Sequence, residues 1–126
     1  MGKEKVIMTR MVTTKHMNSS DILFGGRLMK WMDETSFIAA TRYTRKKMVT
    51  SSVDKINFKA PVEAGTFLEI TSYVKEIKGI KLKVCTEVVV EEMYKNEKRI
   101  VAESLFSFVS LNEHDVPQRI NYQNAY

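Results

Sequence analysis

The sequence predicts an α+β domain in which one long helix is wrapped by a curved antiparallel sheet of five strands. Three observations predict it. The segment from about Gly25 to Arg45 has helical periodicity and is apolar around most of its circumference, so something must cover it. Four segments after it have strand character and are separated by turn sequences, and one strand-like segment precedes it. The order of strand, helix and four strands suits a single helix packed on a single sheet.

The elements can be justified in turn. Residues 5–14 are short on turn signals and contain Val6, Ile7, Met8, Met11 and Val12, which predicts the first strand. Asn18-Ser19-Ser20-Asp21 has the composition of a loop. On a wheel of ~100° per residue, Leu28, Met29, Met32, Ser36, Ala39 and Ala40 share one broad helix face. Arg27, Lys30, Glu34 and Thr41 form a narrow stripe opposite, while Trp31, Phe37 and Ile38 widen the apolar side. The basic segment Arg45-Lys46-Lys47 follows, and the period then changes to two. Val53, Lys55, Asn57 and Lys59 alternate with Asp54, Ile56 and Phe58 in a second strand, ended by Pro61 and the Glu63-Ala64-Gly65 turn.

Leu68, Ile70, Ser72 and Val74 share one face of a third strand, and Lys78-Gly79-Ile80 is a turn. Leu82, Val84, Thr86, Val88 and Val90 form one face of a fourth strand, with Lys81, Lys83, Cys85 and Glu87 on the other. Asn96-Glu97-Lys98 turns the chain into a fifth strand over residues 99–111, rich in Val and Phe. The four later strands are expected to join as antiparallel neighbours. The polar tail, 112–126, carries no clear element. Val and Ile on the remaining sheet face predict self-association.

The 126 residues fit one domain, 1–126, with no repeat, low-complexity tract or Pro/Gly linker. Lys plus Arg number 20 against 15 for Asp plus Glu, a formal charge of +5. That surplus suggests an anionic partner: a phosphate-bearing ligand, nucleic acid or a membrane surface. A single cysteine, Cys85, excludes an intrachain disulfide. With only His16 and His114 beside it, no zinc-ligand spacing exists, and no metal is expected. No run approaches the ~18 apolar residues of a membrane span. The start has no signal-peptide apolar core, and Val6 stands where a myristoylation signal wants Ser or Thr. A soluble cytoplasmic protein is expected.

Asp33 is the most informative candidate for chemistry. It falls two turns into the helix at the edge of the apolar face, where it is a poor helix former by ~0.5–0.7 kcal/mol against Ala. A carboxylate there is either a functional base or a boundary residue paired with Lys30 or Arg42. Gly25-Gly26 opens the helix, where free N–H groups can hold an oxyanion or a phosphate; the plainer role is a tight bend. Asn18 can orient a water or a carbonyl, or simply close a turn. His16 would serve as a base only in contact with Asp33. Cys85 has no His placed to activate it, and no Gly-x-Ser-x-Gly marks a serine nucleophile. Arg42, Arg45, Lys46 and Lys47 are either a solvated face or a phosphate site.

The stretch Asn18-Ser-Ser-Asp-Ile-Leu-Phe-Gly25-Gly26-Arg-Leu-Met-Lys-Trp-Met-Asp33-Glu34 resembles the signature of the hot-dog-fold acyl-CoA thioesterases. Seven residues separate Asn18 from Gly25, and eight separate Gly25 from Asp33. Val49-Thr-Ser-Ser-Val-Asp-Lys-Ile-Asn-Phe58, Pro61 and Gly65 are similar to the family's second strand and turn. The resemblance covers roughly residues 5–111 and departs at the C-terminus, where related chains often run further. It implies subunits joined sheet edge to sheet edge, active sites at the subunit interface, and a homodimer that assembles further, a hexamer built as a trimer of dimers being the expected form.

It also implies a reaction. Asp33 would activate water as general base, or attack the thioester directly. A backbone N–H at Gly25 or Gly26 would polarise the carbonyl, and Asn18 of the partner subunit would orient the water or the thioester. CoA is part of the substrate and product, so no separate cofactor is needed. Its phosphates suit the basic surplus, with Arg42, Arg45, Lys46 and Lys59 as candidate contacts. Met29, Trp31, Met32 and Phe37 are candidates for an acyl tunnel or for plain core. The alternatives are a hot-dog module that binds acyl-CoA without cleaving it, and a basic nucleic-acid-binding protein. No recognition helix or aromatic RNA-binding motif supports the latter, so neither nucleic acid nor membrane is expected as a partner. A hot-dog dehydratase would want a His in the catalytic position.

Overall fold

The computed structural model describes residues 4–23 and 25–120. Strand β1 (Val6–Met11) leads through a single 3-10 turn (Thr14–His16) to helix α1 (Gly25–Thr44). Strands β2 (Lys47–Phe58), β3 (Thr66–Lys78), β4 (Lys81–Glu92) and β5 (Lys98–Leu111) follow. All strand pairs are antiparallel and form one sheet in the order β1-β3-β4-β5-β2. The α+β architecture of one helix on a five-stranded sheet is as expected.

Strands β3, β4 and β5 are sequential neighbours, but β2 is not a neighbour of β3. It pairs with β5 and forms one edge of the sheet, while β1 pairs with β3 and forms the other. The chain therefore crosses the sheet between β2 and β3. Alternation reports which face a residue takes and carries no information on which strand lies alongside. Strand β2 also starts at Lys47, six residues before the period-two pattern. Bulges interrupt its period: Thr50 pairs with Phe108 and Ser52 with Ser107, leaving Ser51 unpaired, and a second register shift falls between Asp54 and Asn57.

The core lies between α1 and the inward residues of β3, β4 and β5. Leu68 and Ile70, then Leu82, Val84, Val88 and Val90, then Phe106 and Phe108 are all buried. From the helix, Leu28, Trp31, Met32, Ala39 and Ala40 meet them. The interface also holds hydroxyls. Ser36 Oγ donates to Met32 O at 2.7 Å and lies 2.5 Å from Thr86 Oγ1, which is 2.7 Å from Ser72 Oγ. This chain of satisfied polar groups fixes the helix against the sheet at little desolvation cost.

Helix α1 ends at Thr44, where Arg45 takes a left-handed conformation (φ 55°) and its N–H donates to Thr41 O. The tail is less free than expected. Gln118 N–H donates to Ser110 O, Ile120 N–H donates to Gly79 O, and Ile120 is buried. Residues 121–126 of the expected tail lie outside the described residues. The helix itself is not fully wrapped: Phe37 is 43% exposed, and Met29 and Ile38 are only partly buried. Among the described residues, no helix is long and apolar enough to cross a membrane.

Candidate active site

Asp33 sits on the unwrapped side of α1, in line with Gly26, Met29 or Lys30, and Phe37 at helical spacing. Thr50 Oγ1 donates a hydrogen bond to Asp33 Oδ1 at 2.9 Å. The bulge makes this contact possible. Thr50 lies opposite Phe108 and Val53 opposite Phe106, so both point to the helix side. Two residues three apart share a face of a strand only when an extra one intervenes, here Ser51, whose hydroxyl donates to Ser107 O at 3.1 Å. Thr50 thus holds one carboxylate oxygen and leaves the other without a partner among the described residues. The sequence reading missed Thr50; its β-branched neighbour Val49 was the available signal for an earlier strand start.

Asp33 borders two cavities. One, of about 260 Å³, is lined by Gly26, Met29, Lys30, Asp33, Thr50, Val53 and Phe106. The other, of about 380 Å³, is lined by Met8, Asp33, Glu34, Phe37 and Ile38. A half-buried carboxylate therefore stands between two largely apolar spaces, two turns beyond Gly26 along α1. The two other acyl-tunnel candidates, Trp31 and Met32, are core residues, buried against the sheet.

Gly25 and Gly26 are the first residues of α1, and a Cβ at either would meet nothing within 4 Å. The space beside the helix N-terminus is open. Gly25 borders a further cavity of about 310 Å³ with Ile22, Phe58, Lys59 and Pro61 among its walls. Asn18 lies in the β1–α1 connection. Its Oδ1 accepts from Ser20 N at 2.8 Å and from Ile22 N at 3.2 Å, so its carbonyl closes a turn and its amide nitrogen remains the group able to donate. Asn18 lines neither of the cavities beside Asp33 within this chain.

The basic candidates divide into two places. Lys59 lines the Gly25 cavity and pairs with Glu103 at 2.6 Å. Arg42, Arg45 and Lys46 stand at the other end of α1, about 25 Å from Gly25 along the axis. His16 is not beside Asp33. Its Nδ1 lies 3.2 Å from Thr13 N, and its ring meets Trp31 edge-on at 5.0 Å. Burial, with Arg27, Lys15 and Arg10 nearby, lowers its pKa below the ordinary 6.5. Cys85 is on the sheet face turned away from the helix, where its hydrogen bond to Tyr73 pushes the phenol pKa upward.

A family model described as the thioesterase superfamily matches residues 21–96, which include the helix, Asp33 and Thr50. This chain belongs to that superfamily, and its fold is the hot-dog fold. Among curated relatives, a Bacillus subtilis protein named an uncharacterized acyl-CoA thioester hydrolase is 30% identical over 91% of this chain and 67% of its own. The chain spans 63% of the next curated relatives it matches. Among solved structures, an acyl-CoA hydrolase from Bacillus cereus is 33% identical with a TM-score of 0.89, covering 92% of this chain and 71% of its own. An acyl-CoA hydrolase from Staphylococcus aureus, solved in complex with butyryl-CoA and CoA, is 26% identical with a TM-score of 0.88 over the same shares.

The Staphylococcus aureus protein was also solved as three alanine variants, of one aspartate, one threonine and one asparagine. In that chain the asparagine precedes the aspartate by 15 residues and the threonine follows it by 17. Asn18, Asp33 and Thr50 have the same separations.

Proposed function

We propose that this chain hydrolyses acyl-CoA thioesters at a site centred on Asp33. The observation that carries the proposal is the Asp33 carboxylate held by Thr50 between two apolar cavities, one of which reaches Gly26 at the helix N-terminus. Asp33 takes a proton from water as hydroxide adds to the thioester carbonyl and passes it to the departing sulfur. Alternatively it adds to that carbonyl itself, giving an acyl anhydride that water then hydrolyses while the thiolate takes its proton from solvent. A first-turn N–H at Gly25 or Gly26 stabilises the oxyanion, and the C–S bond then breaks to release CoA as the thiol.

The site is shared between chains in this reading. Strand β2 is a twelve-residue edge with most of its residues exposed, and an open edge of that length favours pairing with another strand. Pairing β2 with its copy would set a second chain beside Asp33, and Asn18 of the partner subunit would complete the site. Assembly beyond the dimer to a hexamer is supported by a hexameric acyl-CoA thioesterase of TM-score 0.89 and 25% identity, and a trimer of dimers is the form this reading takes. CoA's phosphates meet Lys59 beside Gly25. Arg42, Arg45 and Lys46 can serve the same nucleotide only from a different chain, given their place at the far end of α1. We place the protein in the cytoplasm, where acyl-CoA is available.

The test is release of free thiol from a panel of acyl-CoAs from acetyl to palmitoyl. Turnover on at least one chain length is expected. Saturable binding of acyl-CoA without thiol release at any length would instead make the chain a binding module.

A further inference from the structure

The connection that carries Asn18 is tied down at both ends by backbone. Val12 N–H donates to Thr66 O and Leu23 N–H donates to Val62 O, each at 2.9 Å. Between those ties, two adjacent side chains fasten it to the body: Met17, packed on the core, and His16. His16 does so in a protonation-dependent way. A backbone N–H can only donate, so Thr13 N at 3.2 Å makes His16 Nδ1 an acceptor and puts the ring proton on Nε2. Thr13 Oγ1, 3.3 Å from the same nitrogen, is then the second donor. The ring edge rests on Trp31, a buried residue of α1 two positions before Asp33 and about one turn before Glu34.

We propose that His16 is a positioning residue for Asn18: neutral, it locks the turn of residues 13–16 onto the helix, and a proton on Nδ1 releases the turn and with it the asparagine. The proposal rests on the reading of Asn18 as part of the hydrolytic site. A proton on Nδ1 removes the acceptor that the Thr13 N–H uses and reverses the Thr13 hydroxyl from donor to acceptor. Among the described residues, the charges acting on the ring are all cationic. Lys15 is on its own turn, Arg27 is on α1, and Arg10 on β1 lies over the Trp31 ring at 4.7 Å. Glu34, the carboxylate of this cluster, is taken by Arg10 at 3.3 Å. Acid should therefore loosen the Asn18 connection as the pH falls below the ordinary imidazole value, because the pKa of His16 is lowered.

The experiment compares the wild type with His16→Asn and His16→Ala, reading kcat and KM for an acyl-CoA from pH 5 to 8. Amide hydrogen exchange over residues 13–22 is read alongside, corrected for the intrinsic pH dependence. Asn offers its Oδ1 near the place of Nδ1 and does not titrate. His16→Ala is expected to lower kcat about tenfold at neutral pH with little change in KM, as for a group displaced by a fraction of an ångström. His16→Asn should recover most of that loss, and its acid limb should move to lower pH than the wild type's. Exchange over 13–22 should be faster in His16→Ala, and in the wild type on the acid side, but slow in His16→Asn. An acid limb that is the same in wild type and His16→Asn, or equal losses in both variants, would overturn the proposal. If the wild type releases no thiol at all, the hydrolase reading falls, and exchange at 13–22 alone decides whether His16 is the anchor.

Discussion

Helix α1 has two apolar sides with different fates. The side carrying Met32, Ser36, Ala39 and Ala40 is closed, with no more than 3% exposure at any of the four, and even its hydroxyls find partners within the chain. The side carrying Met29, Asp33, Phe37 and Ile38 is half open, bordered by two cavities and by the free edge strand β2. The first side is a finished core and the second an open face. Burial energy of the chain is concentrated on one side, while the groups able to do chemistry gather on the other. A carboxylate can remain there because the side is half open rather than dry-packed, and in the proposed function it receives a ligand and a second subunit.

That difference predicts opposite consequences for substitutions one residue apart. Asp33→Asn keeps the shape and loses the ability to take a proton or attack. It should cut hydrolysis by about 10²–10⁴-fold, as loss of a positioned base does, with little change in thermal stability or CoA affinity. Retention of half the activity or more would remove Asp33 from the chemistry. Met32→Ala on the closed side should do the reverse. It should destabilise the fold by about 2–5 kcal/mol in denaturant melts, with kcat per folded molecule nearly preserved at low temperature. A selective loss of kcat in Met32→Ala without loss of stability would mean that the two sides are not separate.

The smallest effect belongs to the basic periphery. Lys59→Ala should raise KM for acyl-CoA by less than about fivefold, because the lysine is exposed and its charge is screened. The increase should exceed that for an acyl-pantetheine lacking the nucleotide. Equal effects on both substrates would place the phosphates elsewhere.

Much of the closed side was legible in the sequence. Alternation in Leu82, Val84, Thr86, Val88 and Val90 names the inward face of β4 directly, and the i, i+3, i+4 spacing of α1 names its packed stripe. The open side was legible only in part. Asp33 stood out as a carboxylate among apolar neighbours. Thr50 did not, because its importance is a contact across 17 residues that a bulge at Ser51 creates, and the bulge itself hides the strand's period. Phe37 is apolar on the wheel like Met32, and a wheel does not distinguish a face that meets its own sheet from one left open. The neighbour relation of β2 and β5 follows from crossover topology, which no local pattern in β2 encodes.

The central claim, that an active site is assembled from the Asp33 side of one chain and the Asn18 connection of another, has one direct test. Asn18→Ala and Asp33→Ala proteins, each expected to be inactive alone, are mixed in equal amounts, and subunit exchange is verified with differently labelled chains. Random exchange makes half of the dimers mixed, each with one intact site, so thiol release should return to about a quarter of the wild-type value. Verified exchange with no recovered activity would contradict the shared site and confine the chemistry to groups within a single chain.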